Sequence, residues 1–86
     1  MTKSYTYRTI IEPDGNFFHG YVPALSGCHT FGKTIAETKK HLKDAIEGYL
    51  LSCIKHGDSI PSDMGFQSLE TVSIPTFSRV SKRVYA

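Results

Sequence analysis

The stretch between Thr34 and Gly57 restricts this chain most, because it carries both ends of one helix and an apolar stripe between them. Thr34 followed three residues later by Glu37 forms a capping box. The hydroxyl accepts from the amide of Glu37, and the carboxylate turns back to the amide of Thr34. At the other end Lys55 and His56 put positive charge where the helix dipole favours it, and Gly57 can take the left-handed conformation that stops a helix. Leu42, Ala45, Ile46, Tyr49, Leu50, Cys53 and Ile54 recur at spacings of three and four and fall on one face. A helix over about residues 35–56 is predicted, and its stripe must cover a sheet. Gly48 sits mid-helix, where Gly costs about 1 kcal/mol relative to Ala, and is expected to mark a close approach to a strand or another subunit.

The sheet is expected from the residues before the helix. SYTYRTIIE, residues 4–12, is rich in Tyr, Thr and Ile and runs into the turn signal Pro13, Asp14, Gly15, so it reads as a first strand. After Asn16, FFHGYV alternates Phe17, His19 and Tyr21 on one face with Phe18, Gly20 and Val22 on the other until Pro23 stops it. A loop of Pro23, Ser26 and Gly27 leads to CHTF, a short third strand closed by Gly32. Beyond the helix, Pro61, Ser62 and Asp63 form a turn-rich loop, and SLETVSIP offers Leu69, Val72 and Ile74 for a fourth strand. The expected fold is α+β in the order βββαβ: a three-stranded antiparallel meander plus a fourth strand, with one long helix on one face. That arrangement leaves the opposite sheet face bare. Five Tyr and five Phe are many for so small a core, so self-association through that face is expected, as a dimer or tetramer.

At 86 residues the chain supports one core, since chains of this size bury only roughly 60 to 65% of their unfolded surface. The domain is placed at residues 1–75 and a basic tail at 76–86, where Arg79, Lys82 and Arg83 meet no acid. The net charge of +2 falls far short of a dedicated nucleic-acid module. No stretch approaches the roughly 20 apolar residues of a membrane span. MTKSYTYRTIIEPDG contains no apolar run like that of a secretory signal, so the cytoplasm is expected and Cys28 and Cys53 are read as reduced.

Catalytic and metal chemistry find little support. Cys28 and His29 are adjacent and would point to opposite faces of a strand, and no Cys-x-x-Cys or His-x-x-x-His spacing exists, so no metal and no cofactor are expected. A two-metal nuclease needs converging carboxylates, whereas Glu12 and Asp14 end a strand, Glu37 caps the helix, and Asp44 and Glu47 lie off its apolar stripe. Cys28 reads as a small buried hydrophobe, and His19 and His29 as surface residues. The strand aromatics Tyr5, Tyr7, Phe17, Phe18 and Tyr21 could pack in a core, meet a partner or stack on bases, with only Lys3 and Arg8 nearby as cations.

From Pro23 to Thr34 the residues read Pro-x-Leu-x-Gly-Cys-x-x-x-Gly-x-Thr, filled by Pro23, Leu25, Gly27, Cys28, Gly32 and Thr34. Asp14 and Gly15 lie in the preceding turn and Pro61 follows the helix. Over roughly residues 5–75 this pattern resembles the HicB family of antitoxins. The resemblance implies a partial ribonuclease H-like fold, no enzymatic activity, and a role in binding and occluding a small HicA-type toxin that cleaves messenger RNA. Many such antitoxins carry a further DNA-binding module. Only eleven residues follow Pro75, so direct DNA binding is not expected of this chain. Because binding residues concentrate on loops held by a rigid scaffold, the acidic turn and the following loop are the candidate partner surface. The candidates are Glu12, Asp14, Pro23, Leu25, Ser26, His29 and Phe31. The alternative is a stand-alone remnant of a ribonuclease H-like fold that binds RNA or simply oligomerises.

Overall fold

A computed structural model describes residues 2–76; of the expected basic tail at 76–86, all but Thr76 lies outside the described residues. Three strands, β1 (Ile10–Asp14), β2 (Phe17–Tyr21) and β3 (His29–Gly32), precede one helix, α1 (Ile35–His56). The sheet is an antiparallel meander in the order β1-β2-β3. β1 and β2 are joined by the two residues Gly15 and Asn16. Gly15 has φ +62° and Asn16 is not among the residues of positive φ, the pattern of a type II′ turn, whose twist suits a hairpin.

The first strand is shorter at its start than residues 4–12. In the register of β1 with β2, Ile10 faces Tyr21, so residues before Ile10 would have to pair with the segment after Tyr21. That segment folds on itself: the Leu25 amide donates to the Val22 carbonyl, the Cys28 amide to Leu25, and the Val22 amide to Cys28. Residues 4–9 thus lose their neighbour on that side and run extended without strand pairing.

The compact loop also builds the core. Leu25 folds inward beside Val22 and Cys28, and Leu42 of α1 closes over them, with Tyr7, Ile11, Ala45, Ile46 and Tyr49 packed around. Full burial of Val22, Leu25 and Leu42 contributes roughly 1.5–3 kcal/mol each. The helix comes very near the sheet because β2 and β3 present Gly20 and Gly32 to it, and Thr38, wholly buried, fills the space above them.

Both caps form. The Glu37 amide donates to Thr34 Oγ1 at 3.0 Å. The Glu37 carboxylate returns one residue earlier than expected, accepting from the Lys33 amide at 3.3 Å. Gly57 is left-handed at φ +69° and its amide reaches back to the last turn. A helix of 22 residues is about 33 Å long whereas five-residue strands span about 17 Å, so the C-terminal half of α1 overhangs the sheet. Leu51 and Ile54 are therefore exposed, although Ile54 belongs to the apolar stripe. Among the described residues a Cβ on Gly48 would meet nothing within 4 Å, so no close approach there explains that glycine.

The fourth strand does not form. After α1 the chain runs alongside residues 7 and 8, where the Tyr7 hydroxyl donates to the Pro61 carbonyl at 2.6 Å. Arg8 donates to the Asp63 carboxylate through its amide (2.7 Å) and Nε (3.1 Å). Residues 64–76 then leave the body as an extended arm without strand pairing, and the longest dimension reaches 62 Å.

Candidate functional site

Residues alternate across a strand, so the register sorts the sheet into two faces. Ile11, Gly20 and Thr30 face α1 together, while the residues between them look away from it. The outward residues form cross-strand rows: Ile10, Tyr21 and His29; Glu12, His19 and Phe31; and Asp14 with Phe17. No second layer covers them among the described residues, and Phe17 and Phe31 stand 47% and 49% exposed.

Four of the rings on this face form a connected patch. His19 lies at its centre, with ring centroids 4.8 Å from Phe31, 5.6 Å from His29 and 5.8 Å from Tyr21. Glu12 and Asp14 flank the patch on β1, and both are exposed. None of these eight residues is Lys or Arg, so the face combines aromatic area with negative charge. An aromatic centre with a polar rim is the composition from which interface hot spots are built.

The candidates picked from the sequence divide between this face and the core. Glu12, Asp14, His29 and Phe31 come together on the open face. Pro23 and Ser26 are exposed on the loop that leads from β2 to β3. Leu25 is 1% exposed, and its side chain fills the core beneath that loop. Phe17, His19, Tyr21 and Ile10 share the open face but were absent from the candidate set. The alternation of FFHGY already placed Phe17, His19 and Tyr21 on one side, and only the position of α1 reveals that this side is the uncovered one.

No group of three or more His, Cys, Asp or Glu residues is placed to hold a metal ion among the described residues. The two cysteines are unpaired, and burial pushes the Cys28 thiol up, away from the reactive thiolate. No described helix is long and apolar enough to cross a membrane.

These features define a small α+β domain with one sheet face covered by a helix and the other open. Residues 4–61 match the family described as UPF0150-like, and the chain belongs to that family. Its relatives include UPF0150 proteins of Thermoplasma acidophilum, 43% identical over 66% of this chain and 84% of the relative, and of Helicobacter pylori, 37% identical over 71% and 76%. A Synechocystis relative is 34% identical over 69% of this chain and 76% of its own length. Among solved structures, the N-terminal domain of the Burkholderia pseudomallei antitoxin HicB is similar with a TM-score of 0.53 and 25% identity, covering 91% of this chain and 82% of that one. The HicB-like resemblance of the sequence holds at the level of the family.

Proposed function

We propose that this chain is an antitoxin-like, non-catalytic protein that neutralises a small HicA-type messenger-RNA endonuclease by binding it directly, using the open face of the sheet. The observation that carries the reading is the likeness to the antitoxin HicB domain over 91% of the chain. The chemistry of the open face supports it. A toxin that cleaves RNA must present a cationic surface to a polyanion, and a face with Glu12 and Asp14 beside aromatic anchors complements such a surface. The same charge disfavours RNA as the ligand, although Phe17, Tyr21 and Phe31 could otherwise stack on bases. In this reading Pro23 and Ser26 touch the toxin at the rim, and the protein is cytoplasmic and self-associated.

The test is co-expression of the tagged chain with the neighbouring short reading frame, scored by growth and by co-purification. Rescue of growth together with a stable complex is expected. Growth arrest that persists beside ample folded antitoxin, or retention of structured RNA in place of a protein, would sink the reading.

A further inference from the structure

The most exposed apolar residues of the described chain lie on the arm. Phe66, Leu69 and Val72 are 89%, 95% and 78% exposed. Isolated exposed hydrophobics are ordinary, but a run of them on an unpaired extended segment is an aggregation hazard unless something covers it. Alternation puts Phe66, Val72 and Ile74 on one side of that segment.

A groove of matching character runs along the body. It lies between the extended residues 5–9 and α1, has a volume of about 620 Å³, and has Tyr5, Tyr7, Leu42 and Ile46 among its walls. Lys39, Lys40 and Lys43 line it as well. The arm from Phe66 to Thr76 carries one charge, Glu70, and no cation, so apolar character and charge both correspond. The backbone beside the groove is also open: residues 5–7 make no backbone–backbone hydrogen bond among the described residues.

The arm does not fill the groove of its own chain, and its exit is fixed. Asp63 is clamped to Arg8, the Gly65 amide donates to Asp63 at 2.9 Å, and Arg8 Nη1 donates to the Phe66 carbonyl at 3.5 Å. The Arg8 guanidinium lies against Gly65 where a side chain would otherwise project. These contacts direct the chain outward at the point where it would need to reverse.

We infer that residues 66–74 dock into the groove of a second copy of this chain, adding there the strand that each chain lacks. Strand addition beside residues 5–9 satisfies backbone groups on both copies, while Val72 and Ile74 enter the apolar groove. Two reciprocal arms close a twofold dimer, because the same pair of surfaces meets twice. The inference rests on the self-association in the proposed function and is independent of toxin capture.

The full chain is compared with a Val72→Asp/Ile74→Asp variant by light scattering after size exclusion. Both substituted side chains are exposed in the single chain, so the helical circular dichroism should not change. The wild type is expected at twice 9.6 kDa or an even multiple, and the variant at 9.6 kDa. A mixture of isotope-labelled and unlabelled wild type should give contacts between the Val72 and Ile74 methyls of one chain and the Tyr5 and Tyr7 rings of the other. A wild type that stays at 9.6 kDa at high concentration overturns the inference together with self-association. A folded variant that keeps the wild-type mass overturns the arm alone and points to the open sheet face as the contact. Contacts confined to a single chain mean that the arm folds back, which also overturns it.

Discussion

A Cβ placed on Gly32 would lie 2.5 Å from the Thr38 hydroxyl oxygen and 2.7 Å from the Thr38 amide nitrogen. β3 and the first turns of α1 touch through a glycine face and a threonine whose hydroxyl is already engaged, donating to the Thr34 carbonyl at 2.8 Å. The helix cannot come this near the sheet over any larger residue.

Gly32→Ala is therefore expected to destabilise the protein by about 1–3 kcal/mol, since backbone atoms and not a flexible side chain would have to give way. Gly20→Ala should cost less, because its nearest obstacles are the Leu42 and Thr38 side chains. Chemical denaturation of both variants checks this, and equal midpoints would show that the contact is softer than its geometry.

Leu25 and Phe31 lie in the same segment, Pro23 to Thr34, and should fail in different ways. Leu25→Ala opens a cavity beside Val22, Cys28 and Leu42 and should lower stability by about 2–5 kcal/mol. Phe31→Ala removes a half-exposed ring and should leave the melting temperature nearly unchanged, while weakening a toxin complex by about 2 kcal/mol. Calorimetric melting and titration of the two variants separate these effects.

Reversing Glu12 and Asp14 to Lys should slow association with a cationic partner and flatten its dependence on salt, because exposed charges act mainly through steering. Association rates measured at two ionic strengths decide it. An unchanged rate would remove this edge of the face from the interface.

Asp63 makes a pH prediction with a definite sign. The Arg8 and Gly65 amides donate to its carboxylate and the Arg8 guanidinium pairs with it, which holds the carboxyl below the ordinary value of 3.8. In the unfolded chain the group takes up its proton first as pH falls. Its stabilising contribution is thus complete above the ordinary value and lost as pH falls through the lower folded value. Carboxyl carbon shifts followed against pH should place the Asp63 midpoint below 3.8, and a midpoint at or above it would mean that the clamp is not held in solution.

The motif that carries the family resemblance is structural at five of its six specified positions, Pro23 being exposed on the loop. Leu25 and Cys28 fill the core, Gly27 has φ +78°, Gly32 admits Thr38, and Thr34 caps the helix. Loop position alone, the ground for choosing Pro23 to Phe31 as a partner surface, therefore gathers the buried Leu25 along with the exposed Phe31. A pattern that keeps a fold and a pattern that meets a partner cannot be told apart while strand faces are unassigned.

Local chemistry determined what could be determined locally: the helix ends at Thr34 and Gly57, the tight turn at Gly15, and the alternation that divides Phe17, His19 and Tyr21 from Phe18 and Gly20. Each depends on neighbours within a few residues, so the sequence contains it in full. The tertiary structure alone decided which face the helix covers, because that depends on Gly20 of β2 meeting Thr38 and Leu42 of α1 across long separations in the chain. It also decided that residues 4–9 go unpaired and that Leu69, Val72 and Ile74 form no fourth strand. A strand exists only where a neighbour supplies hydrogen bonds; here the loop after Tyr21 turns inward on one side, and Arg8 and Asp63 direct the arm away on the other.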